Sequence, residues 1–347
     1  MKRKVLILLP TINSGGAERI TLNIAGLASS KHNITVGIFD DSDALDDYIP
    51  KAVDVRRLKI KRALFSFRKL YKFINNLQPE IIFSSHSRVT FILSILKLFL
   101  KFKLISRMQG TPSLEIGKEY SLLRVKVYAF GYRRSDKVIA QTEDMVEDAK
   151  NIYGVHEDKV EIFQNPINTE HIDKSINQLN PFISFKNNFN IVLSGRLVLG
   201  KGFDLLIKSL KNVNIKNYMV HILGDDRGEK RNLENLLKER NLTDKVIFYG
   251  NVKNPYIYYV NCDLYVQSSR WEGCPNAFLE NVYLGTPIVA SECIPIIKRI
   301  STLRKNIITY PVYNIDMLSH SLNESVNLTR CDIGFKQTSN IGDIFDE

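Results

Sequence analysis

Strand-like apolar runs alternate with amphipathic helical stretches from one end of this chain to the other. KVLILLPT (Lys4–Thr11) is followed by GGAERITLNIAGLAS and then by NITVGIFD, and EIIFSS, KLISRM and KVIAQT continue the series. Beyond residue 188 come FNIVLSG, YMVHILG, KVIFYG, CDLYVQS and PIVASE, again with helical stretches between them. The runs are near-continuously apolar, which is how strands covered on both faces of a parallel sheet read. Such a succession specifies a doubly wound α/β sheet. The series breaks once, at the polar SINQLNPFISFKNN (Ser175–Asn188), which reads as a linker. Two Rossmann-like domains facing a cleft are therefore expected, at 1–178 and 185–347. The length of 347 residues fits two domains of roughly 150–200 residues each.

The N-terminal MKRKVLILLP has a basic start and a short apolar run. The run is only six residues long and no small-residue cleavage site follows, so a first buried strand is expected rather than a signal peptide. The four cysteines, Cys262, Cys274, Cys293 and Cys331, form no CxxC pair. That argues against a disulfide framework or a zinc site and fits a reducing cytoplasm. The formal net charge is +11, and it is unevenly placed: between Arg56 and Lys137 stand 19 Lys and Arg against 4 Asp and Glu. Within this block the cations are mixed with apolar residues, as in KIKRALFSFRKLYKF (Lys59–Phe73) and VTFILSILKLFLKFKLI (Val89–Ile105). On a helix, Lys97 and Lys101 would share one face while Phe91, Ile92, Ile95, Leu96 and Phe99 turn away. The second stretch is too short and too charged to span a bilayer. It suits contact with an anionic membrane surface, and no nucleic-acid motif accompanies the basic block.

SGRLVLGKGFD (Ser194–Asp204) nearly spells a P-loop, with Gly195, Gly200 and Lys201 in place. A P-loop follows its lysine with Ser or Thr to hold Mg²⁺, and here Gly202 stands instead. The glycines lie between a strand and a helix, where backbone N–H groups and the helix dipole favour an anion. Arg196 and Lys201 add a planar fork and a point charge suited to a diphosphate. In SSRWEGCPNAFLENVYLGTPIVAS (Ser268–Ser291), Trp271, Glu272 and Gly273 fall in a loop after a strand. Asn276 is expected to cap the following helix and Gly285 to end it. Glu272 and Glu280, with seven residues between them from loop to helix, are placed to accept hydrogen bonds from the vicinal diols of a ribose or hexose. The literal DxD at Asp41–Asp43 lies in an acidic patch and reads as a solvated loop, so no metal is expected.

GRLVLGKGFDLLI, HILGDD, VIFYGNV and WEGCPNAFLE…LGTPIVAS together resemble glycosyltransferase family 4, a retaining family with the GT-B fold. NSGGAER, DKVIAQTEDM and FQNPINTE extend the resemblance more loosely, and it covers about residues 4–293. The resemblance implies transfer of a sugar from a nucleotide-diphosphate donor, UDP-linked, with retention and without a metal. The implied acceptor is a lipid-linked saccharide of a bacterial surface polysaccharide, at the inner face of the cytoplasmic membrane. By position, Arg196 and Lys201 would hold the donor diphosphate, Glu280 the ribose, and Glu272 the transferred sugar near the reacting carbon. Gly273 and Asn276 would complete the donor loop, and Gly15 and Gly16 would let the first-domain loop approach donor phosphates and acceptor across the cleft. Gln109 stands where many members carry His and is the expected further sugar contact. Asp226 replaces a common Gly, and the small-residue loop that usually follows GTPIVAS is missing. A UDP-sugar epimerase of the same fold, a P-loop nucleotide hydrolase and a non-catalytic sugar- or nucleic-acid-binding protein are the competing assignments.

Overall fold

In the computed structural model, which describes residues 2–12, 16–41, 43, 45–60, 67–116, 121–333 and 344–346, every apolar run named above becomes a strand. The strands are β1 (Lys4–Leu9), β2 (Asn33–Ile38), β3 (Asp54–Arg57), β4 (Ile81–Ser84), β5 (Lys103–Arg107), β6 (Lys137–Ala140) and β7 (Val160–Ile162) in one sheet. A second sheet holds β8 (Phe189–Ser194), β9 (Tyr218–Leu223), β10 (Val246–Gly250), β11 (Leu264–Gln267), β12 (Ile288–Ser291) and β13 (Ile307–Tyr310). Their orders are β3-β2-β1-β4-β5-β6-β7 and β10-β9-β8-β11-β12-β13, and all pairings are parallel. Both are doubly wound, with the order reversing beside β1 in the first sheet and beside β8 in the second.

The apolar runs are continuous because both faces of each central strand are covered. Val5, Ile7 and Leu9 of β1 pack in one cluster with the helix Gly16–Ala28, while Leu6 and Leu8 pack in another with the helices Phe67–Leu77 and Ser87–Leu96. In the second sheet Ile191 and Leu193 of β8 join residues of the helices Phe203–Ser209, Lys230–Glu239 and Ile315–Glu324.

The compact units are Met1–Ile167 with Gln337–Glu347, and Asn168–Lys336. The expected division at 178/185 thus moves to 167/168, and the expected linker is folded structure. Asn168 caps the helix Thr169–Ser175 by accepting from the His171 amide. That helix is tied into the second unit by the Tyr283 hydroxyl donating to Asp173 and by Asn254 donating to the Ser175 carbonyl. Phe182, from the middle of the presumed linker, is 1% exposed and lies 4.5 Å from the His221 ring of β9. The last described residues belong to the first unit rather than the second. Ile344 and Phe345 are buried in its core, and Arg3 donates to the carbonyls of Phe345 and Asp346.

The helix expected over Val89–Ile105 stops at Leu96, and its last residues belong to β5. Lys97 is the C-cap, and its ammonium donates to Asp136 at 2.5 Å, so it is not held out toward solvent beside Lys101. Part of Lys59–Phe73 lies outside the described residues, and the remainder includes the helix Phe67–Leu77. No helix among the described residues is long and apolar enough to cross a membrane.

Candidate active site

At the reversal point of the second sheet, the loop leaving β8 meets the loop leaving β11. The β8 loop closes into a single 3-10 turn, Leu199–Lys201, because the amides of Lys201 and Gly202 bond the carbonyls of Val198 and Leu199. Those two N–H groups are spent within the turn, so the backbone cradle expected there is smaller than the glycine pattern implied. Gly202 follows at φ 64°, in the left-handed region, and caps the helix Phe203–Ser209. A Cβ at Gly202 would fall 2.0 Å from the Ser268 carbonyl oxygen of the β11 loop. Ser or Thr cannot stand at this position, and the loop is therefore not a P-loop with its metal-binding hydroxyl removed. Gly224, at the end of β9, is equally constrained: a Cβ would lie 1.8 Å from the Gly195 carbonyl.

The two loops are also bonded through their side chains. Arg270 forms a fork–fork pair with Asp204 at 2.7 and 2.8 Å and donates to the Leu199 carbonyl. Its own amide donates to the Gly200 carbonyl at 2.7 Å. Arg270 and Lys208 together hold the Asp204 carboxyl below its ordinary range against the opposing effect of burial. Ser268 donates to the Lys201 carbonyl, and Ser291 of β12 donates to the Ser269 carbonyl. Trp271 lies over Gly200 so closely that a Cβ there would sit 2.9 Å from its ring.

This scaffold brings Lys201 and Glu272 together. The lysine ammonium donates to Glu272 Oε1 at 2.5 Å, and the Ser269 hydroxyl donates to the same oxygen at 2.6 Å. The two side chains are 24% and 10% exposed. A pocket lies beside them, lined among others by Ser194, Gln267, Ser268, Asn276 and Ala277. Beneath it the Tyr259 hydroxyl donates to Ser194 Oγ, which is 3.2 Å from the buried Tyr265 hydroxyl. Burial raises the Tyr265 phenol above its ordinary range, and the nearby Glu272 and Glu280 carboxylates add to the shift. Burial likewise pushes the Cys293 thiol up to about 12.

The other expected residues fall in different places. Glu280 lies in the helix Asn276–Tyr283 and accepts from the Tyr256 hydroxyl at 3.4 Å. Asn276 is the first residue of that helix and not its cap, since Pro275 takes the cap position without a side-chain bond. Gly285 ends the helix as expected, at φ 66°. Gly273 lies in the short link from Glu272 to the helix, and Arg196 is exposed. Gly16 and Gln109 belong to the first unit: Gly16 opens the helix after β1 and Gln109 is exposed just beyond β5. Gly15 lies outside the described residues, as does Ser42 of the DSD triplet, whose Asp41 and Asp43 are exposed. Asp226, where the motif usually has Gly, accepts from the amides of Gly228 and Lys230 and so starts the next helix. The Asp204–Arg270 clamp and the Ser269 bond went unread in the sequence. Their only signal was a pair of opposite charges flanking two loops.

Two family models match the chain: Glycosyltransferase Family 4 over residues 14–171 and Glycosyl transferases group 1 over residues 176–331. A Campylobacter jejuni N-acetylgalactosamine-N,N'-diacetylbacillosaminyl-diphospho-undecaprenol 4-alpha-N-acetylgalactosaminyltransferase is 27% identical, with 84% of this chain and 81% of that protein covered. The Escherichia coli O-antigen biosynthesis glycosyltransferase WclY is 25% identical, with 94% and 91% covered. An uncharacterised glycosyltransferase of Methanocaldococcus jannaschii is 29% identical, and the match spans 64% of its length. Among solved structures, Anabaena HepE in complex with UDP-glucose is similar at TM-score 0.79 and 19% identity, with 94% of this chain and 90% of that chain covered. WaaG, a glycosyltransferase involved in lipopolysaccharide biosynthesis, is similar at TM-score 0.70 and 16% identity, with 93% and 89% covered. The fold is GT-B. The chain belongs to glycosyltransferase family 4, and it is a glycosyltransferase.

Proposed function

We propose that the enzyme transfers a sugar from a UDP-sugar, with retention of configuration, to a lipid-linked saccharide in bacterial surface-polysaccharide synthesis. The observation that carries the donor half is the Lys201–Glu272 pair at the carboxyl ends of β8 and β11, where an open parallel sheet binds its ligand. Without a donor, the two charges satisfy each other. A diphosphate competes for Lys201, and Arg196 stands exposed two residues beyond β8 to join it. Glu272 keeps its Ser269 bond and turns its freed valence to a sugar hydroxyl. Glu280, in the helix Asn276–Tyr283 that follows Glu272, is the group assigned to the ribose diol.

Glycosyl transfer breaks the bond from the anomeric carbon to a phosphate oxygen and forms one to the acceptor oxygen. Negative charge grows on the leaving diphosphate, where fixed cations lower the barrier most. The acceptor proton passes to that phosphate as attack occurs on the same face. This chain's contribution is Lys201 and Arg196 at the leaving group and Glu272 at the sugar, and none of these roles needs a metal.

The acceptor half rests on the relatives' named activities and on surface chemistry. The cation-rich segment Arg56–Lys137 also exposes Leu98, Phe99, Leu122 and Leu123, each more than half exposed. Cations beside exposed apolar side chains fit an anionic membrane surface, and a cytoplasmic enzyme held at the inner leaflet would meet a lipid-linked acceptor there.

A thermal-shift comparison tests the donor assignment, with UDP plus EDTA against ATP plus Mg²⁺. A ligand at 100 times its dissociation constant adds about 2.7 kcal/mol. Stabilisation by UDP in EDTA is the expected result; stabilisation only by ATP with Mg²⁺ overturns the sugar-nucleotide assignment.

A further inference from the structure

Strand β11 ends on a polar residue that its surroundings do not satisfy. Its four residues, Leu264–Gln267, are all buried. Leu264 and Val266 join the apolar cluster around β8, so Tyr265 and Gln267 alternate to the opposite face. Both lie in the wall of the pocket beside Lys201 and Glu272. Their polar ends fare differently. The Tyr265 hydroxyl is 3.2 Å from Ser194 Oγ. Gln267 is 5% exposed, and its Nε2 has no hydrogen-bond partner among the described residues. The Cys293 thiol lies next to it, but a thiol is only a weak acceptor.

A buried amide donor left unpaired destabilises the fold, and an apolar side chain of similar size in its place would not. A strand covered on both faces has no need of a polar residue there. Substrate chemistry gives the amide a purpose. The diphosphate is already assigned two cations, Lys201 and Arg196, and a neutral amide adds little beside them. The transferred sugar is uncharged and is recognised through hydrogen bonds to its hydroxyls, which both donate and accept. Resting on the proposed UDP-sugar donor, we infer that the Gln267 carboxamide donates to a hydroxyl of the transferred sugar and helps set which sugar is accepted. A site with a buried donor penalises a sugar that lacks the matching oxygen, so Gln267 is a specificity-determining residue.

Gln267→Leu and Gln267→Met in the full-length protein test this, since both remove the amide and keep most of the side-chain bulk. Melting temperatures are taken without ligand. Calorimetry in EDTA then gives affinities for UDP, UDP-glucose, UDP-galactose, UDP-N-acetylglucosamine and UDP-N-acetylgalactosamine. Without ligand, both variants are expected to melt about 2–4 °C above wild type, because an unpaired buried amide is gone. UDP should bind wild type and variants alike, which also shows that the variants fold. The UDP-sugar that wild type binds most tightly should bind the variants about tenfold more weakly. The inference is overturned if that UDP-sugar loses less than twofold, or if UDP loses as much, which would give the amide to the diphosphate. A lower melting temperature in both variants makes the amide a structural group and overturns it as well. UDP binding with unchanged UDP-sugar affinity sinks this inference alone. If wild type binds neither UDP nor any of the UDP-sugars, the donor assignment falls and takes this inference with it.

Discussion

Lys201 and Glu272 show how far residue identity carries and where it stops. Their types and positions announce a cation for phosphate and a carboxylate for a sugar, but only the folded chain puts them 2.5 Å apart. In a partly buried pair of this kind the cost of desolvating the two charges offsets much of their attraction, so the net contribution to stability is small. The pairing is thus better understood as storage of two ligand-directed charges than as a structural staple. This argues for a separation of effects. Lys201→Ala is expected to lower kcat by about 10²–10³, the loss seen when a preorganised charge-stabilising group is removed. The melting temperature should fall little, because Ser269 still donates to Glu272. Glu280→Ala should instead raise the dissociation constant for UDP. Steady-state kinetics with a UDP-sugar, set beside UDP calorimetry, distinguishes the two. Wild-type turnover in Lys201→Ala would remove that residue from the leaving-group site.

Most strand elements legible in the sequence are central ones buried on both faces, β10 being an edge strand that was legible all the same, and those that were missed share a position. β3 and β7 are the two edges of the first sheet and β13 is an edge of the second. An edge strand pairs on one side only and needs no unbroken apolar run, and DVRR and VEI have none. The helix over-extended through Val89–Ile105 has the opposite cause. Helix, turn and buried strand there are all apolar, and periodicity alone does not separate them. At the site, the glycine pattern was legible but its purpose was not. It marks where two loops touch, and contact between loops is not written in either of them. Two substitutions separate these effects. Gly250 and Gly202 both lie in the left-handed region, at φ 67° and 64°. A Cβ at Gly250 meets nothing within 4 Å, whereas at Gly202 it meets the Ser268 carbonyl at 2.0 Å. Gly250→Ala should cost only the conformational penalty of about 1–2 kcal/mol. Gly202→Ala should cost more, and by parting the loops it should also weaken UDP binding. Equal melting temperatures and equal UDP affinities for the two variants would refute this account of the loop junction.

At the scale of the whole molecule, the chain closes on its own beginning. Phe345 is fully buried in the first unit, edge-on to Phe83 at 5.8 Å and to His32 at 6.0 Å. Asp346 beside it pairs with Lys31 at 3.0 Å and with His32 at 3.1 Å, and Lys31 holds its carboxyl below the ordinary range. The Lys31 pair is exposed on both sides and screened, while His32 is itself buried against the Phe345 ring, so the ring is the energetic anchor. Residues more than 300 positions apart in sequence thus complete one core, and the first unit is not finished until the end of the chain is in place. Phe345→Ala removes a buried aromatic ring and is expected to destabilise that unit by about 3–5 kcal/mol. In a differential scan this should appear as a fall on the order of 10 °C in the transition of the first unit. Because the two units have separate cores, the scan is not expected to be a single two-state transition. UDP, directed to residues of the second unit, should still raise that unit's transition in the variant. An Asp346→Asn variant should move the first transition by far less, since it leaves the ring seated. If Phe345→Ala melts within a degree of wild type, the C-terminal residues do not anchor the first core. If it also abolishes the UDP shift, their role reaches beyond the unit they pack in.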